Sequence, residues 1–174
     1  MAGYSRCIEN QLDVVHLPFV HHNTIGRGHK TLLNGPAVEF SDGVLRTSAY
    51  NKQDNGHTPK KPEECLIDDR VFLCFRFPNI WMNRIAPNYK LVIFFAPVDE
   101  ENTVLYIQVY SKLSHLKPFN SLIASMSRLM AYIIERQDRR VVVTQKLKAS
   151  AYRSGEKLLM GIGPYFFTGK CGKN

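Results

Sequence analysis

Several common sequence features are missing from this chain, and each absence argues against a class of protein. Its four cysteines are scattered and form no C-x-x-C pair, so they lack the spacing of a zinc or iron–sulfur site and are expected to be structural thiols. The longest strongly apolar run, LVIFFAPV, is far too short to span a bilayer, and the N-terminal MAGYSRCIEN lacks the apolar core of a signal peptide. The sequence therefore predicts a soluble cytoplasmic protein without a membrane partner.

Acidic residues are also scarce relative to basic ones, and the formal net charge is +8. Long-range attraction would favour an acidic protein partner, an anionic substrate or nucleic acid. The basic residues are dispersed and are not interleaved with aromatic residues in a stripe, so nucleic-acid binding is not expected.

The length and composition are those of an ordinary globular domain. The 174 residues can bury one sizeable core, and 44% are hydrophobic and 22% charged. No internal repeat or low-complexity tract is present. We expect a single domain over residues 1–174.

The first third of the chain predicts a short helix and then a hairpin. Apolar residues recur at helical spacing over 6–17, whereas 23–36 is rich in Gly and Asn and is expected to be a loop. Two β-prone runs flank Ser-Asp-Gly within 37–50, which is typical of a hairpin, and the polar segment 51–69 is expected to be a long loop.

The remainder predicts strands at 70–77, 89–98 and 103–113, the last two joined as a hairpin, and then a long helix. The helix is expected from Pro118 to about Lys148, with Asn120 or Ser121 as its cap. Its apolar positions recur as on one face: Leu122, Ile123, Met126, Met130, Ile133 and Ile134. The tail 157–170 is expected to be a final strand or a cover over a pocket. This order of elements indicates an α+β fold, without the alternation of a doubly wound parallel sheet.

The segment DVVHLPFVHH concentrates three of the six histidines. Asp13 and His16 lie three residues apart, on the same face of a helix. His21 follows His16 by five residues, about 140° around an ideal helix, so one straight helix cannot bring both imidazoles to one metal. Pro18 tends to end or kink a helix, which would allow His21 to turn back toward His16.

Two converging imidazoles and one carboxylate form the ligand set of non-haem Fe(II) oxygenases, with open positions for O₂ and substrate. Zinc bound by His and carboxylate, or histidines simply hydrogen-bonded in the core, are the alternatives. Spacing alone does not choose among four candidate carboxylates: Glu9, Asp13, Glu135 and Asp138. His22 would point away from the site, and three further histidines are expected to be exposed in loops: His29, His57 and His115.

These residues resemble a known family. ENQLDVVHLPFVHH, followed by Thr24 and Gly26, is similar to the mononuclear-iron segment of Rieske-type non-haem iron oxygenases, the alpha subunits of aromatic ring-hydroxylating oxygenases. The family pattern Asn-x-x-Asp-x-x-His-x-x-x-x-His falls on Asn10, Asp13, His16 and His21. The intervals favour the monooxygenase or demethylase branch.

The resemblance implies roles for these residues. The family's third iron ligand comes from a downstream helix, in a stretch that ERQDRRVVVTQ resembles, which assigns this role to Asp138 and makes Glu135 the second choice. His16 and His21 become the other Fe(II) ligands, Asn10 lies near the iron, and Asp13 becomes a bridge for electrons. The implied fold is a helix-grip domain of the Bet v 1/START type, in which an antiparallel sheet wraps around a long C-terminal helix.

The resemblance covers residues from about 5 to about 148 and departs from the family in one respect. The C-x-H and C-x-x-H ligands of the family's N-terminal [2Fe–2S] domain are absent from this sequence. The implied activity is O₂-dependent hydroxylation or oxidative demethylation of an aromatic or other apolar substrate, with electrons from an external Rieske or ferredoxin centre and reductase. A homotrimer is also implied. The alternative is a small-molecule binding module with a vestigial or structural metal site.

Overall fold

The computed structural model describes residues 3–145. The elements in chain order are two short helices, a six-stranded sheet and a long helix: α1 Tyr4–Leu12, α2 Leu17–Val20, β1 Leu32–Ser41, β2 Val44–Lys52, a 3₁₀ turn Pro62–Glu64, β3 Phe72–Arg76, β4 Ile80–Ala86, β5 Tyr89–Pro97, β6 Thr103–Ser111 and α3 Lys117–Val142. The tail 157–170, expected to be a strand or a pocket cover, lies outside the described residues.

The six strands form one antiparallel meander in the order β1 to β6. The β1–β2 turn falls at the predicted Ser-Asp-Gly, where Asp42 and Gly43 both take positive φ angles of 50° and 71°. Such angles favour Gly and Asp in a two-residue hairpin turn. An antiparallel sheet with a long C-terminal helix confirms the predicted α+β class and the helix-grip arrangement.

The core lies between one face of the sheet and α1. Fully buried side chains from β2, β3 and β5 meet apolar residues of α1: Leu45, Phe75, Ile93 and Phe95 from the sheet, and Cys7, Ile8 and Leu12 from the helix. The indole Nε1 of Trp81 on β4 donates a 2.9 Å hydrogen bond to the backbone carbonyl of Gln11. This bond holds the C-terminal end of α1 against the middle of the sheet.

The observed elements differ from the predicted ones in three places. Strand β4 was missed, because Asn83 and Arg84 interrupt the apolar alternation that marks a strand. The predicted loop 23–36 overlaps β1, which begins at Leu32. The single helix predicted for 6–17 ends at Leu12, and α2 is separate.

Helix α3 exposes most of its apolar stripe. Its buried residues are Ala131, Asp138 and Val142, whereas four of the six residues that recur on one face are exposed: Leu122, Met126, Met130 and Ile133. Its N-cap is Leu116, without a side-chain cap, and the expected cap residue Asn120 instead accepts the N–H of Ser114 and donates to its carbonyl. Among the helices within residues 3–145, none has the length and apolarity needed to cross a membrane.

Two isoleucines of the sheet provide a matched test of the core. Ile93 is fully buried, whereas Ile85 is 47% exposed. We expect Ile93→Ala to lower the free energy of unfolding by about 2–5 kcal/mol, because it removes buried methyl groups and leaves a cavity. Ile85→Ala should cost less than about 1 kcal/mol. Urea unfolding measures both, and equal losses would contradict the assignment of this face as the core.

Candidate metal centre

The turn between α1 and α2 places the first histidine. Helix α1 stops at Leu12 because Asp13 takes an extended backbone conformation. The Oδ1 atom of Asp13 then accepts the N–H of Val15 at 2.7 Å, a local bond that competes with helix continuation. The chain therefore turns before His16, which caps the next helix.

The short length of α2 determines the position of the second histidine. His16 precedes this four-residue helix and His21 follows it, so the two imidazoles stand at its two ends. Pro18 lies within the first turn of α2, where its missing N–H needs no partner. The prediction that Pro18 breaks the helix was wrong, because the break lies at residues 13–16, but the convergence expected of the histidines is observed.

Gly26 allows the following loop to fold back onto α2. A Cβ atom added at this position would lie 2.1 Å from the carbonyl oxygen of Leu17. Only glycine permits this approach. The backbone of the loop therefore closes directly over the segment that carries the histidines.

Helix α3 brings Asp138 to the same point. The Nε2 atoms of His16 and His21 lie 3.2 Å apart, and Asp138 Oδ1 lies 3.4 Å from the first and 2.9 Å from the second. His21 and Asp138 are buried, and the side chain of His16 is 14% exposed. Within residues 3–145 this is the one group of three or more His, Cys, Asp or Glu residues with ligand atoms this close together.

The spacing and chemistry of these three atoms fit a metal ion. Ligand atoms about 2.0–2.2 Å from a metal, at right angles to one another, lie roughly 3 Å apart, and the three separations are close to that value. Asp138 Oδ1 is buried and makes no well-aligned hydrogen bond within the described part of the chain. Without a proton or a cation between them, three lone-pair atoms at these distances would repel one another. Two imidazoles and a carboxylate can therefore hold a divalent cation here.

Asp138 and the two histidines stabilise each other's charged forms. Burial acts to raise the pKa of Asp138, but the adjacent imidazoles of His16 and His21 and their positive charge outweigh it and lower this pKa to about 2. Burial acts to lower the pKa of His16, but Asp13 and Asp138 raise it to about 9. The carboxylate is thus ionised at neutral pH and attracts positive charge.

The other predicted residues lie around this cluster. The Oδ2 atom of Asp13 is 3.6 Å from His16 Nδ1, close but beyond hydrogen-bond length. Asn10 is buried on α1, and its Nδ2 has no hydrogen-bond partner within residues 3–145. Glu9, one of the candidate carboxylates, instead pairs with Arg6 at 2.8 Å.

Glu135, the second choice for the third ligand, lies outside the three-atom cluster. Its Oε1 accepts a 2.9 Å hydrogen bond from Gln11 Nε2, which joins α3 to α1. Burial and the nearby charge of Asp138 raise its pKa to about 8. A carboxyl group with this pKa is mostly protonated at neutral pH.

The remaining histidines take no part in the cluster. His22 is exposed and its Nδ1 lies 2.9 Å from the carbonyl oxygen of Phe19, and the three loop histidines are exposed as expected: His29, His57 and His115.

One contact was not predicted. His21 Nδ1 lies 2.8 Å from Gln137 Oε1, which also accepts a 3.1 Å hydrogen bond from Thr24 Oγ1. No periodicity or spacing singles out Gln137, except that it directly precedes Asp138.

A cavity of about 810 Å³ lies elsewhere, between the ends of β4, β5 and β6 and the first turns of α3. Its lining includes Arg84, Lys90 and Lys112, and it reaches Ala124 on α3. Fourteen residues of helix separate Ala124 from Asp138, roughly 21 Å. This cavity therefore does not adjoin the His16, His21 and Asp138 cluster.

Comparisons with known proteins agree with the fold. The family model described as "Vanillate O-demethylase oxygenase C-terminal domain" matches residues 1–160. A search of curated proteins gives no match. The crystal structure of the quaternary ammonium Rieske monooxygenase CntA with an inhibitor matches 96% of this chain with a TM-score of 0.59 at 12% identity. This chain spans 45% of the length of that one, and at this identity the likeness concerns the fold alone.

The buried carboxyl group of Glu135 generates a prediction about pH. Its folded-state pKa of about 8 exceeds the ordinary 4.5, so its contribution to stability is fully present below about pH 4.5 and is lost as the pH rises through 8. Glu135→Gln has no such loss and keeps an oxygen that can accept from Gln11. In EDTA, the urea midpoint of the variant relative to wild type should therefore rise between about pH 5 and pH 8.

The exposed Glu63 supplies the control for this measurement. Glu63→Gln should leave the difference from wild type unchanged across the same pH range, since its side chain is exposed in the folded protein. A difference between Glu135→Gln and wild type that stays constant with pH would contradict the inferred protonation of Glu135.

Proposed function

Because the chain belongs to the family of vanillate O-demethylase oxygenase C-terminal domains, the catalytic domains of Rieske-type oxygenases, we propose that it binds one Fe(II) ion through His16, His21 and Asp138. The proposed activity is O₂-dependent hydroxylation or oxidative demethylation of an aromatic or other apolar substrate. The branch proposed is that of the monooxygenases and demethylases.

A single observation carries the proposal. Three ligand atoms from two distant parts of the chain meet within 4.8 Å of one another, in a largely buried position. Burying a carboxylate is costly unless an opposite charge and hydrogen bonds compensate it. Asp138 carries such a buried carboxylate. Imidazole nitrogens lie beside its Oδ1 atom, which has no well-aligned hydrogen bond in residues 3–145. A bound cation would satisfy all three groups at once.

The chain's own residues have separable tasks in this proposal. When a metal binds, His16 would lose the proton that its raised pKa of about 9 otherwise retains, and His16 and His21 would each present the lone pair of Nε2. Asp138 supplies the negative charge. Asp13 stands behind His16, where its carboxylate favours a proton on Nδ1 and so keeps Nε2 free. Iron bound by these three groups would supply the open positions at which O₂ and substrate could meet when electrons are supplied.

The electrons are proposed to come from a Rieske or ferredoxin centre outside this sequence. Asp13 is the proposed bridge on that route, because it lies beside His16 with its side chain 26% exposed. The net charge of +8 would attract an acidic donor protein. A homotrimer, which the family resemblance implies, would be one way to bring a donor close to Asp13.

A small-molecule binding module is the second candidate. The cavity of about 810 Å³ favours it, because that space lies roughly 21 Å along α3 from the proposed iron site. Ligand binding that persists after EDTA treatment, with no oxidised product when donor and O₂ are supplied, would support this candidate over the oxygenase.

Iron content tests the ligand assignment. Protein reconstituted anaerobically with Fe(II) and desalted should retain about one iron per chain, measured by mass spectrometry of the metal. His16→Ala, His21→Ala and Asp138→Ala should each abolish stoichiometric iron, because two ligands hold a divalent ion poorly.

His22→Ala is the matched control, since His22 directly follows His21 but is exposed and faces away. It should retain iron like wild type. Circular dichroism shows whether each variant is folded. Wild-type protein without stoichiometric iron, or His16→Ala with unchanged iron, would contradict the proposed site.

Turnover is tested separately from binding. Iron-loaded protein mixed with O₂, a ferredoxin-type Rieske donor, its reductase, NADH and an aromatic methyl ether should form the demethylated phenol and formaldehyde, with one O₂ and one NADH consumed for each methyl group removed. Asp13→Asn should retain iron but slow product formation, because it removes the charge behind His16. Product formation that is unchanged in Asp13→Asn would contradict the bridging role.

A further inference from the structure

We propose that Gln137 is a positioning residue, which fixes the protonation and orientation of the His21 imidazole so that Nε2 is available to the metal. The proposal rests on the iron site proposed above and extends it to a residue that the sequence pattern did not indicate. Gln137 is adjacent to Asp138, so one turn of α3 would supply both a ligand and the partner that orients another ligand.

The geometry of His21 requires an acceptor at this point. Its ring is buried, with Nε2 facing His16 and Asp138 and with Nδ1 2.8 Å from Gln137 Oε1. A neutral imidazole carries one proton, and a ring that gives its Nε2 lone pair to a metal must carry the proton on Nδ1. Buried in this way, that N–H needs an acceptor, and Gln137 Oε1 is in place to be one.

The requirement of His21 for an acceptor decides which end of the amide must face it. The hydroxyl of Thr24 lies 3.1 Å from the same Oε1 and 3.3 Å from the carbonyl oxygen of His21, so it contacts the amide and the backbone of His21 together. If the amide were reversed, its NH₂ group would donate to Nδ1 and force the proton onto Nε2, where it would block the metal. Metal binding at Nε2 therefore requires the amide orientation with Oε1 toward Nδ1, which is the orientation in the structure.

The two histidines are thus supported by chemically different groups. Behind His16 stands the carboxylate of Asp13, 3.6 Å from Nδ1, whereas behind His21 stands a neutral amide at 2.8 Å. An uncharged acceptor orients the ring without adding a second negative charge beside the buried carboxylate of Asp138. Replacing Gln137 should consequently affect metal binding through the orientation of His21 rather than through net charge.

The test measures Zn(II) affinity by chelator competition and the ring protons of His21 by NMR of the zinc-loaded protein, neither of which depends on catalysis. Gln137→Leu removes the acceptor at similar volume and should weaken Zn(II) binding by about 10- to 100-fold. Gln137→Glu restores an oxygen at the same place and should bind within about 3-fold of wild type. Gln108→Leu, at an exposed position on β6, is the matched control and should bind like wild type.

The NMR arm separates positioning from a general structural role. Wild type labelled with ¹⁵N-histidine should show a slowly exchanging Nδ1 proton on His21, which is retained in Gln137→Glu and lost in Gln137→Leu. Urea midpoints of the metal-free variants show whether a loss of affinity merely follows a loss of stability.

Each outcome is decisive. Gln137→Leu with wild-type affinity and a retained Nδ1 proton would overturn the positioning role and leave the iron site intact. Equal weakening by Leu and Glu would also overturn it, since the acceptor would then be irrelevant. Wild-type protein that binds neither Zn(II) nor Fe(II) would overturn the proposed iron site, and this inference with it.

Discussion

The buried carboxylate of Asp138 is the constraint on which the centre of this protein depends. An ionised carboxyl group in the interior is strongly unfavourable unless opposite charge or hydrogen bonds compensate it. Here the compensation comes from a segment more than a hundred residues earlier, which turns twice so that His16 and His21 approach the same oxygen. The segment between α1 and α2 and the end of α3 therefore depend on each other. Burying the two imidazoles or the carboxylate would be unfavourable without the other group beside it.

The apolar part of the structure holds this polar centre in place. Helix α1 packs on the sheet through Cys7, Ile8 and Leu12. Near its C-terminal end, Gln11 makes hydrogen bonds to both the sheet and α3. The carbonyl of Gln11 accepts from Trp81 of β4, and its side chain donates to Glu135 of α3. One residue thus joins sheet, first helix and last helix beside the cluster. Because packed interiors yield little, this connection fixes α3 relative to the histidines.

Helix α3 combines two surfaces of different character. Its buried side carries polar groups in and around the proposed metal centre: Glu135, Gln137 and Asp138. Its opposite side exposes an apolar stripe that includes Leu122, Met126 and Leu129. An apolar stripe normally marks the buried side of a helix, but here the side that faces the interior carries the polar groups. The hydrophobic pattern therefore locates the helix without showing which of its sides is buried.

The sequence by itself determined what depends on neighbours along the chain: the Asp-Gly turn of the first hairpin, the start of α3 to within one residue, and the close spacing of Asp13, His16 and His21. Local sterics and short-range hydrogen bonds settle such features. Spacing left four carboxylates open, and the family resemblance rather than spacing pointed to Asp138. Only the tertiary structure decided that Pro18 lies inside α2 and not at its break, that residues 80–86 form β4, and that Gln137 stands behind His21. These outcomes depend on contacts between distant segments, whose energies are set by burial and packing and leave no periodic mark in the chain.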